Sequence, residues 1–581
     1  MGRRRGRWFA GALVLVAVLG WTAHATSEVG AAADDAVALR DRLQVAIDTD
    51  APLTILDDAT RSELEAIATG LHDLDERLDA GSLRPIRWLP VVGRQLDAAD
   101  HQVDAAAVTL DVTVDLIDAA DRAEAALTDP GRRVEALRQL GDDVRRGADR
   151  LRTIDLGPDE ALVGPLTEGR AELVEQLDAA TELLDEGVRT IDAAVELAAG
   201  PSSYLVLAAN NAQMQNGSGM FLSAARLDLV DGEVRLGTMT SMTDLELPAE
   251  PVDLPPFLDE RWGWLDPNRD WRHLGLSPRF PETAELAADL WEATTGDRID
   301  GVVAVDLVLL AELVGVSGPV EVGGTVIEAD SAVELLANGQ YVRFFGDGGF
   351  DRAAQDDRRE LLSAVADAVL ADLLGALDLD ALRTLRDAGQ GRHLMVWSAD
   401  PELQATWADL GVAGELSPDS LLLSSINRSG NKLDWFLRTT AAAEVTEGDV
   451  TDEVAVTVRV RNTAPELGQP TYVVGPYPGS GLDAGAYLGV LALTLPADAT
   501  SGRVDGDPAL AVVGSEGPSN RVVGTWIEVP RGSSTDVVFR FEVPAGRSSM
   551  TVEPSARITP TRWTLPDGTS VRDDDRRIVR W

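Results

Sequence analysis

Two hydrophobic periods divide the chain. From about Asp34 to Ala199 apolar residues recur at helical spacing: Leu64, Ile67, Leu71, Leu74 and Leu78 stand three and four positions apart. Leu173, Leu177, Ala180, Leu184, Val188, Ile191 and Val195 repeat the pattern. Such a stripe occupies one face of an α-helix and packs on other helices. Asp48 to Pro52, Gly81 to Pro90, Asp129-Pro130-Gly131 and Gly157-Pro158 interrupt the run. Proline and glycine end helices, so the pattern predicts several helices in an antiparallel bundle or short coiled coil. After about Ala441 the period becomes two. Val454, Val456, Val458 and Val460 alternate with Ala455, Thr457, Arg459 and Arg461, and Val537, Phe539, Phe541 and Val543 alternate in the same way. Half-buried strands separated by Pro- and Gly-rich turns predict a β-sandwich.

Between these regions the pattern is mixed. Tyr204 to Ala208 reads as a buried strand, and Phe221 to Val230 with Val234 to Gly237 as a hairpin around Asp231-Gly232. Then follow a helix over Pro281 to Thr294, a strand over Gly301 to Val305 and a helix over Leu307 to Val314. A hairpin around Gly323-Gly324 and a helix over Gln355 to Leu377 complete the series. Alternation of this kind predicts an α/β or α+β domain. The expected division is a signal peptide or signal-anchor (1–27), a helical membrane-proximal region (28–200), an α/β domain (201–440) and a β-sandwich (441–581).

The first segment sets the compartment. Arg3, Arg4, Arg5 and Arg7 precede an apolar run from Trp8 to Trp21, and Ala23-His24-Ala25 follows it as a small-residue cleavage site would. The run is about 14 residues, or about 18 with Thr22 to Ala25, near the lower limit of about 17 for a spanning helix, and the shorter length suits a cleaved signal. Trp8 and Trp21, at its two ends, suit the two interfaces of a retained anchor. Either fate exports the rest: the protein is expected at the cell membrane on a single N-terminal anchor, or secreted. Outside the cytoplasm ATP, nicotinamide cofactors and the genome are absent, which sets aside most intracellular enzyme classes.

Composition narrows the choice. The net charge of −46 repels nucleic acid. Of 51 basic residues only Lys432 is lysine. An acid-rich, lysine-poor surface suits salty surroundings, or recruits divalent cations or a cationic wall partner. Cysteine is absent, which excludes disulfides and thiolate chemistry. No P-loop exists, because Lys432 precedes Leu433 rather than Ser or Thr, and no zincin, EF-hand or nucleophile-elbow motif occurs. His24, His72, His101, His273 and His393 are isolated in sequence; His273 and His393 read as surface or packing residues. Asp104, Asp111, Asp115 and Asp118, at helical spacing, read as a solvated face.

Two places could carry chemistry. The run Asn210-Asn211-Ala212-Gln213-Met214-Gln215-Asn216-Gly217-Ser218-Gly219 follows a strand directly, and its carboxamides can satisfy a tight turn or bind a ligand hydroxyl. Asp306 ends a strand beside a helix start, where open α/β sheets bind ligands and where an aspartate also caps a helix.

These blocks carry a resemblance. Tyr204-Leu-Val-Leu-Ala-Ala-Asn-Asn-Ala-Gln, Ser277-Pro-Arg-Phe-Pro-Glu-Thr-Ala, Ile299-Asp-Gly-Val-Val-Ala-Val-Asp306, Ser317-Gly-Pro-Val and Asn431-Lys-Leu-Asp-Trp435 resemble, in order and spacing, landmarks of the exported bacterial family called domain of unknown function 4012. Pro85-Ile-Arg-Trp-Leu-Pro-Val-Val-Gly93 resembles that family's membrane-proximal region. Where the family shows an acidic and a basic residue before a Gly-Gly pair, this chain has Gln213, Gln215 and Gly217-Ser218-Gly219.

A second likeness covers residues 300–360. Tyr341-Val-Arg343, Gly349-Phe-Asp351-Arg352 and Arg358-Arg359 are similar to the arginine-rich block of the LytR-CpsA-Psr family, and Asp300 to Gly323 to its strand-helix-Gly-Gly-Val stretch. Those proteins transfer glycopolymers from polyprenyl pyrophosphate to peptidoglycan. The likeness implies Arg343, Arg352 and Arg358 converging on a pyrophosphate, with Asp306 or Asp351 holding Mg²⁺; arginine's planar fork suits such a group. Because no assembled catalytic motif occurs, the first expectation is a non-enzymatic envelope protein without cofactors, binding a wall glycopolymer or an envelope protein partner. The alternative is a glycopolymer transferase.

Overall fold

The computed structural model describes residues 62, 66–72, 88, 91–127, 129–248, 250–346, 351–375, 379–477, 479–506, 511–517 and 519–581. Residues 1–27, where an export signal is expected, lie outside them, as do Gly349 and Phe350 of the arginine-rich block. Among the described residues no helix is long and apolar enough to cross a membrane. The chain forms two compact units, 1–199 and 200–581.

The first unit contains the long helices α1 (Val92–Leu127), α2 (Pro130–Arg152) and α3 (Gly164–Ala199). The breaks at Asp129-Pro130-Gly131 and Gly157-Pro158 fall where the sequence placed them, while those expected at 48–52 and 81–90 lie outside the described residues but for residue 88. Asp129 accepts from the Gly131 amide at 3.1 Å and Pro130 occupies the first turn, which starts α2. In the α2–α3 connection Gly157 has φ +65°, and a Cβ there would lie 2.8 Å from the His101 ring, so only glycine lets the connection close onto α1. Ala105, Ala106, Leu110, Leu173 and Leu177 share a buried core. Outside it, Asp111 lies 3.1 Å from His72 and 3.9 Å from Arg150, and Arg150 also pairs with Asp115.

The second unit begins with β1 (Ser202–Gln215), β2 (Ser218–Val230), β3 (Glu233–Leu236) and β4 (Thr240–Ser241). Helix α4 (Phe280–Thr295), β5 (Gly301–Asp306), α5 (Leu307–Ser317), β6 (Val320–Val322) and β7 (Thr325–Ile327) follow. Helices α6 (Gln340–Phe345), α7 (Arg352–Gly375) and α8 (Leu379–Gln390) lead to β8 (Leu394–Ser398). The sheet order is β3-β2-β1-β5-β8, with β4 on β2. Only β1 and β5 run parallel; the neighbours are antiparallel. Side chains alternate across this sheet. Leu205, Leu207, Val302 and Ala304 enter a core with α4, while Val206, Ala208, Val303 and Val305 face the opposite side, toward α5 and α7.

The remaining strands are β9 (Ser420–Asn427), β10 (Leu437–Thr446), β11 (Thr451–Asn462), β12 (Tyr487–Leu495), β13 (Thr500–Val504), β14 (Ala511–Glu516) and β15 (Asn520–Val529). β16 (Ser534–Pro544), β17 (Ser549–Val552), β18 (Arg562–Thr564), β19 (Ser570–Arg572) and β20 (Arg577–Arg580) close the chain. They form two six-stranded sheets, β13-β16-β11-β10-β18-β19 and β14-β15-β12-β9-β17-β20. The two period-two runs are direct partners: Val454 faces Phe541, Val456 faces Phe539 and Val458 faces Val537. Their side chains share a core with Leu491, Leu493, Val523 and Ile527 of the other sheet. β10 spans the expected boundary at 440/441, and β9 precedes it. β9 shows no alternation because it is buried along its whole length: Leu421 and Leu423 enter this core, whereas Ile426 enters the core of the β1–β5 sheet. The α/β and strand-rich parts are thereby continuous.

Candidate functional site

The face of the sheet turned away from α4 borders a cavity of about 1190 Å³. Val206, Ala208, Val303 and Val305 form one wall; Leu309, Leu313, Leu362 and Ala366 of α5 and α7 form the other. That volume reaches past the usual 300–1,000 Å³ of small-molecule sites, and the walls are largely aliphatic, so the space suits a long apolar chain.

Polar groups interrupt these walls where β1 meets α6, α7 and the segment after β9. Arg358 of α7 is 3% exposed and Lys432 is 4% exposed, and both line the cavity. The Arg358 guanidinium donates to Gln340 Oε1 at 2.9 Å and Gln355 Oε1 at 3.2 Å, and lies 5.2 Å from the Tyr341 ring centre. Lys432 donates to Gln213 Oε1 and lies 6.0 Å from the Tyr472 ring centre. Every one of these partners is neutral. Among the described residues neither cation forms an ion pair, although a buried charge ordinarily has one. Burial, with Arg358 nearby, pushes the Lys432 ammonium down to about 7 against the pull of Asp434. Burial raises the Tyr341 phenol to about 12; its hydroxyl accepts from Asn210 at 2.6 Å.

The carboxamide run singled out in the sequence is the hub of this region. Asn211 donates to Asp306 Oδ2 and to the Ala556 carbonyl, each at 2.7 Å. Gln215 donates to the Arg272 carbonyl at 3.0 Å, and Asn216 to the Leu276 carbonyl at 2.9 Å. Two glycines let the hairpin fit: a Cβ on Gly219 would stand 2.4 Å from the Asn210 carbonyl carbon, and one on Gly217 2.6 Å from Pro278 Cα.

The five residues proposed from sequence separate. Arg352 and Arg358 both line the cavity. Arg343 does not; its guanidinium bonds Thr325 of β7 and lies 5.5 Å from the Phe344 ring centre. Asp351 caps α7 by accepting from the Ala353 amide at 3.1 Å, and it too lies off the cavity. Asp306 borders the cavity with both oxygens engaged. Oδ1 accepts from the Val308 and Leu309 amides at 2.9 and 3.1 Å, capping α5, and Oδ2 faces Asn211 and His393 Nδ1, each at 2.7 Å. Burial pushes the His393 imidazole down, but Asp306, with Glu312 and Asp573 adding to its pull, holds it above its ordinary value. Of the two carboxylates expected, one or the other, to hold Mg²⁺ beside the arginines, Asp306 thus has both oxygens engaged and Asp351 lies off the cavity. Among the described residues no group of three or more acidic or histidine side chains is placed to hold a metal.

Sequence reasoning missed Lys432, Gln340, Gln355 and the Asp306–His393 pair. One signal was available for the first: a single lysine in a chain that otherwise uses arginine.

Residues 199–341 match the family model described as "Protein of unknown function (DUF4012)". This segment carries the likeness to the DUF4012 family and makes up about a quarter of the chain. It runs from β1 through Tyr341 and so holds the carboxamide hub, Asp306 and Gln340, whereas Arg358 and Lys432 lie beyond it. Curated proteins and solved structures give no match to the chain.

Proposed function

We propose that the second unit binds an amphiphile with a long apolar chain and an anionic head, on the outer side of a cell membrane to which the N-terminal segment directs it. One observation carries this reading: Arg358 and Lys432 are buried at the wall of a large aliphatic cavity with neutral carboxamides for partners. An entering phosphate would supply the missing negative charge, and Arg358 could meet it with charge-assisted hydrogen bonds. The aliphatic walls would take the chain. A polyprenyl phosphate or pyrophosphate of the envelope has both parts, in keeping with the likeness of residues 300–360 to the LytR-CpsA-Psr family.

Binding is favoured over glycopolymer transfer. Of the residues implied for transfer, Arg343 and Asp351 are engaged away from the cavity, and both oxygens of Asp306 are occupied. The two facing six-stranded sheets, read as a β-sandwich, offer a surface for a wall polymer or partner protein; that part rests on fold analogy.

The test uses purified full-length protein and three probes of equal chain length: hexadecyl phosphate, hexadecanol and hexadecyltrimethylammonium. The phosphate should bind at one per chain and at least tenfold more tightly than the others. Equal binding of the cationic amphiphile would remove the anionic-head reading. Protease digestion of intact cells addresses location, and protection of residues 200–581 from outside would overturn it.

A further inference from the structure

Lys432 has the surroundings of a reactive amine. It is the only lysine of the chain, it lines a largely aliphatic cavity, and its recorded side-chain hydrogen bond goes to an amide oxygen. A second cation, Arg358, is buried close to it. The groups facing it can be named. From β1 comes Gln213; from α7 comes Arg358; Tyr472 lies beside it; Asp434, two residues on, is the carboxylate that acts on it. Asp434 is itself engaged, its Oδ2 accepting from Asn427 at 2.7 Å and from the Met214 amide at 3.1 Å. Desolvation and a neighbouring cation are the two conditions that leave a lysine neutral and nucleophilic near neutral pH.

We infer that Lys432 captures aldehydes of apolar chain as an imine inside the cavity. The amine lone pair attacks the carbonyl carbon and forms the C–N bond. The carbinolamine oxygen then takes a proton and leaves as water while nitrogen loses its own, so aldehyde plus amine gives imine plus water with no redox step. The aliphatic walls select a ligand with a long hydrocarbon tail. This inference shares the cavity with the amphiphile reading but does not need the anionic head, and the two compete: a bound phosphate would keep the amine protonated.

The chemistry supports the expected rate. An ordinary lysine, with a pKa of about 10.4, is neutral in roughly one molecule in 2,500 at pH 7, whereas an amine near 7 is about half neutral.

The experiment treats full-length protein with dodecanal and cyanoborohydride at pH 7 and maps dodecyl groups by peptide mass spectrometry. The α-amino terminus serves as the internal reference, since the chain has no other lysine. Lys432 should be alkylated at least a hundredfold faster than Nα-acetyl-lysine. Gln213→Glu, which places a carboxylate beside the amine, should slow labelling at least tenfold, and Gln213→Met, which removes the acceptor without adding a charge, should slow it by much less than Gln213→Glu does. Labelling no faster than the free amino acid, or labelling confined to the terminus, would overturn the inference. Hexadecyl phosphate separates the two readings. Protection of Lys432 by the phosphate supports both; fast labelling that the phosphate leaves unchanged removes the anionic-head reading alone; phosphate binding without fast labelling removes the imine alone.

Discussion

Lys432 and Gln213 are 219 positions apart in the chain, and the amine of one donates to the amide oxygen of the other inside the protein. A carboxylate at that position would neutralise the ammonium; the amide leaves the charge for a ligand to answer.

Gln213→Glu should therefore weaken hexadecyl phosphate binding at least tenfold, because the new carboxylate both pairs Lys432 and repels the head. Titration calorimetry at pH 7 measures this. Undiminished affinity would show that the head does not sit at Lys432.

Arg358→Met keeps the volume of the side chain but removes a charged donor. Hydrogen bonds to charged groups contribute roughly 1.5–3 kcal/mol, so phosphate affinity should fall by about ten- to a hundredfold. Hexadecanol affinity should hold.

The apolar wall can be tested apart from the head. Ala366 lines the cavity opposite the sheet, and Ala366→Phe would occupy the space proposed for the chain. Hexadecyl phosphate should then bind at least tenfold more weakly while butyl phosphate is unchanged. Equal loss of both would place the chain elsewhere.

Asp306 joins three elements, so its removal should be costly. Asp306→Ala deletes the cap of α5, about 1 kcal/mol, removes the carboxylate partner of His393 and takes one of the two acceptors of Asn211, leaving it the Ala556 carbonyl. A total near 3–5 kcal/mol, as for a broken buried pair, is expected in urea unfolding. Asp306→Asn, which still caps, should cost less. The pH dependence has a definite sign. His393 is raised in the folded state, so the pair's contribution is fully present below the unfolded histidine value of about 6.5 and is lost as pH rises through the folded one. The stability difference between the native protein and His393→Gln should shrink over that interval.

Arg261 and Glu516 form a second buried pair, with side chains 7% and 1% exposed. Burial raises Glu516 to about 7 while Arg261 pulls it down. In Arg261→Met the folded carboxyl should titrate higher still. Stability should then fall as pH rises from about 4.5, where the unfolded group ionises, to above 7. Adding Glu516→Gln should flatten that slope.

Local spacing determined much of this protein. The period-two runs around Val456 and Phe539 named two strands and the faces they bury, and Asp129-Pro130 and Gly157 marked the ends of α2 and the turn beyond it. Asp231-Gly232 marked the β2–β3 turn, where both residues have positive φ. Each of these signals depends on neighbours within a few positions, so the backbone reads it before any tertiary contact forms. β9 escaped such reading because a strand buried on both faces loses its alternation. The site escaped for a different reason. Arg358 was legible on a helix start, which the structure begins earlier, at Arg352, but α6 turns Arg343 toward Thr325, and Asp351 caps the helix it precedes. Lys432 meets Gln213, and Tyr341 meets Asn210, across 219 and 131 positions. Which polar side chains are buried without an opposite charge is a property of the packed surfaces around them, and only the tertiary structure brings those surfaces together.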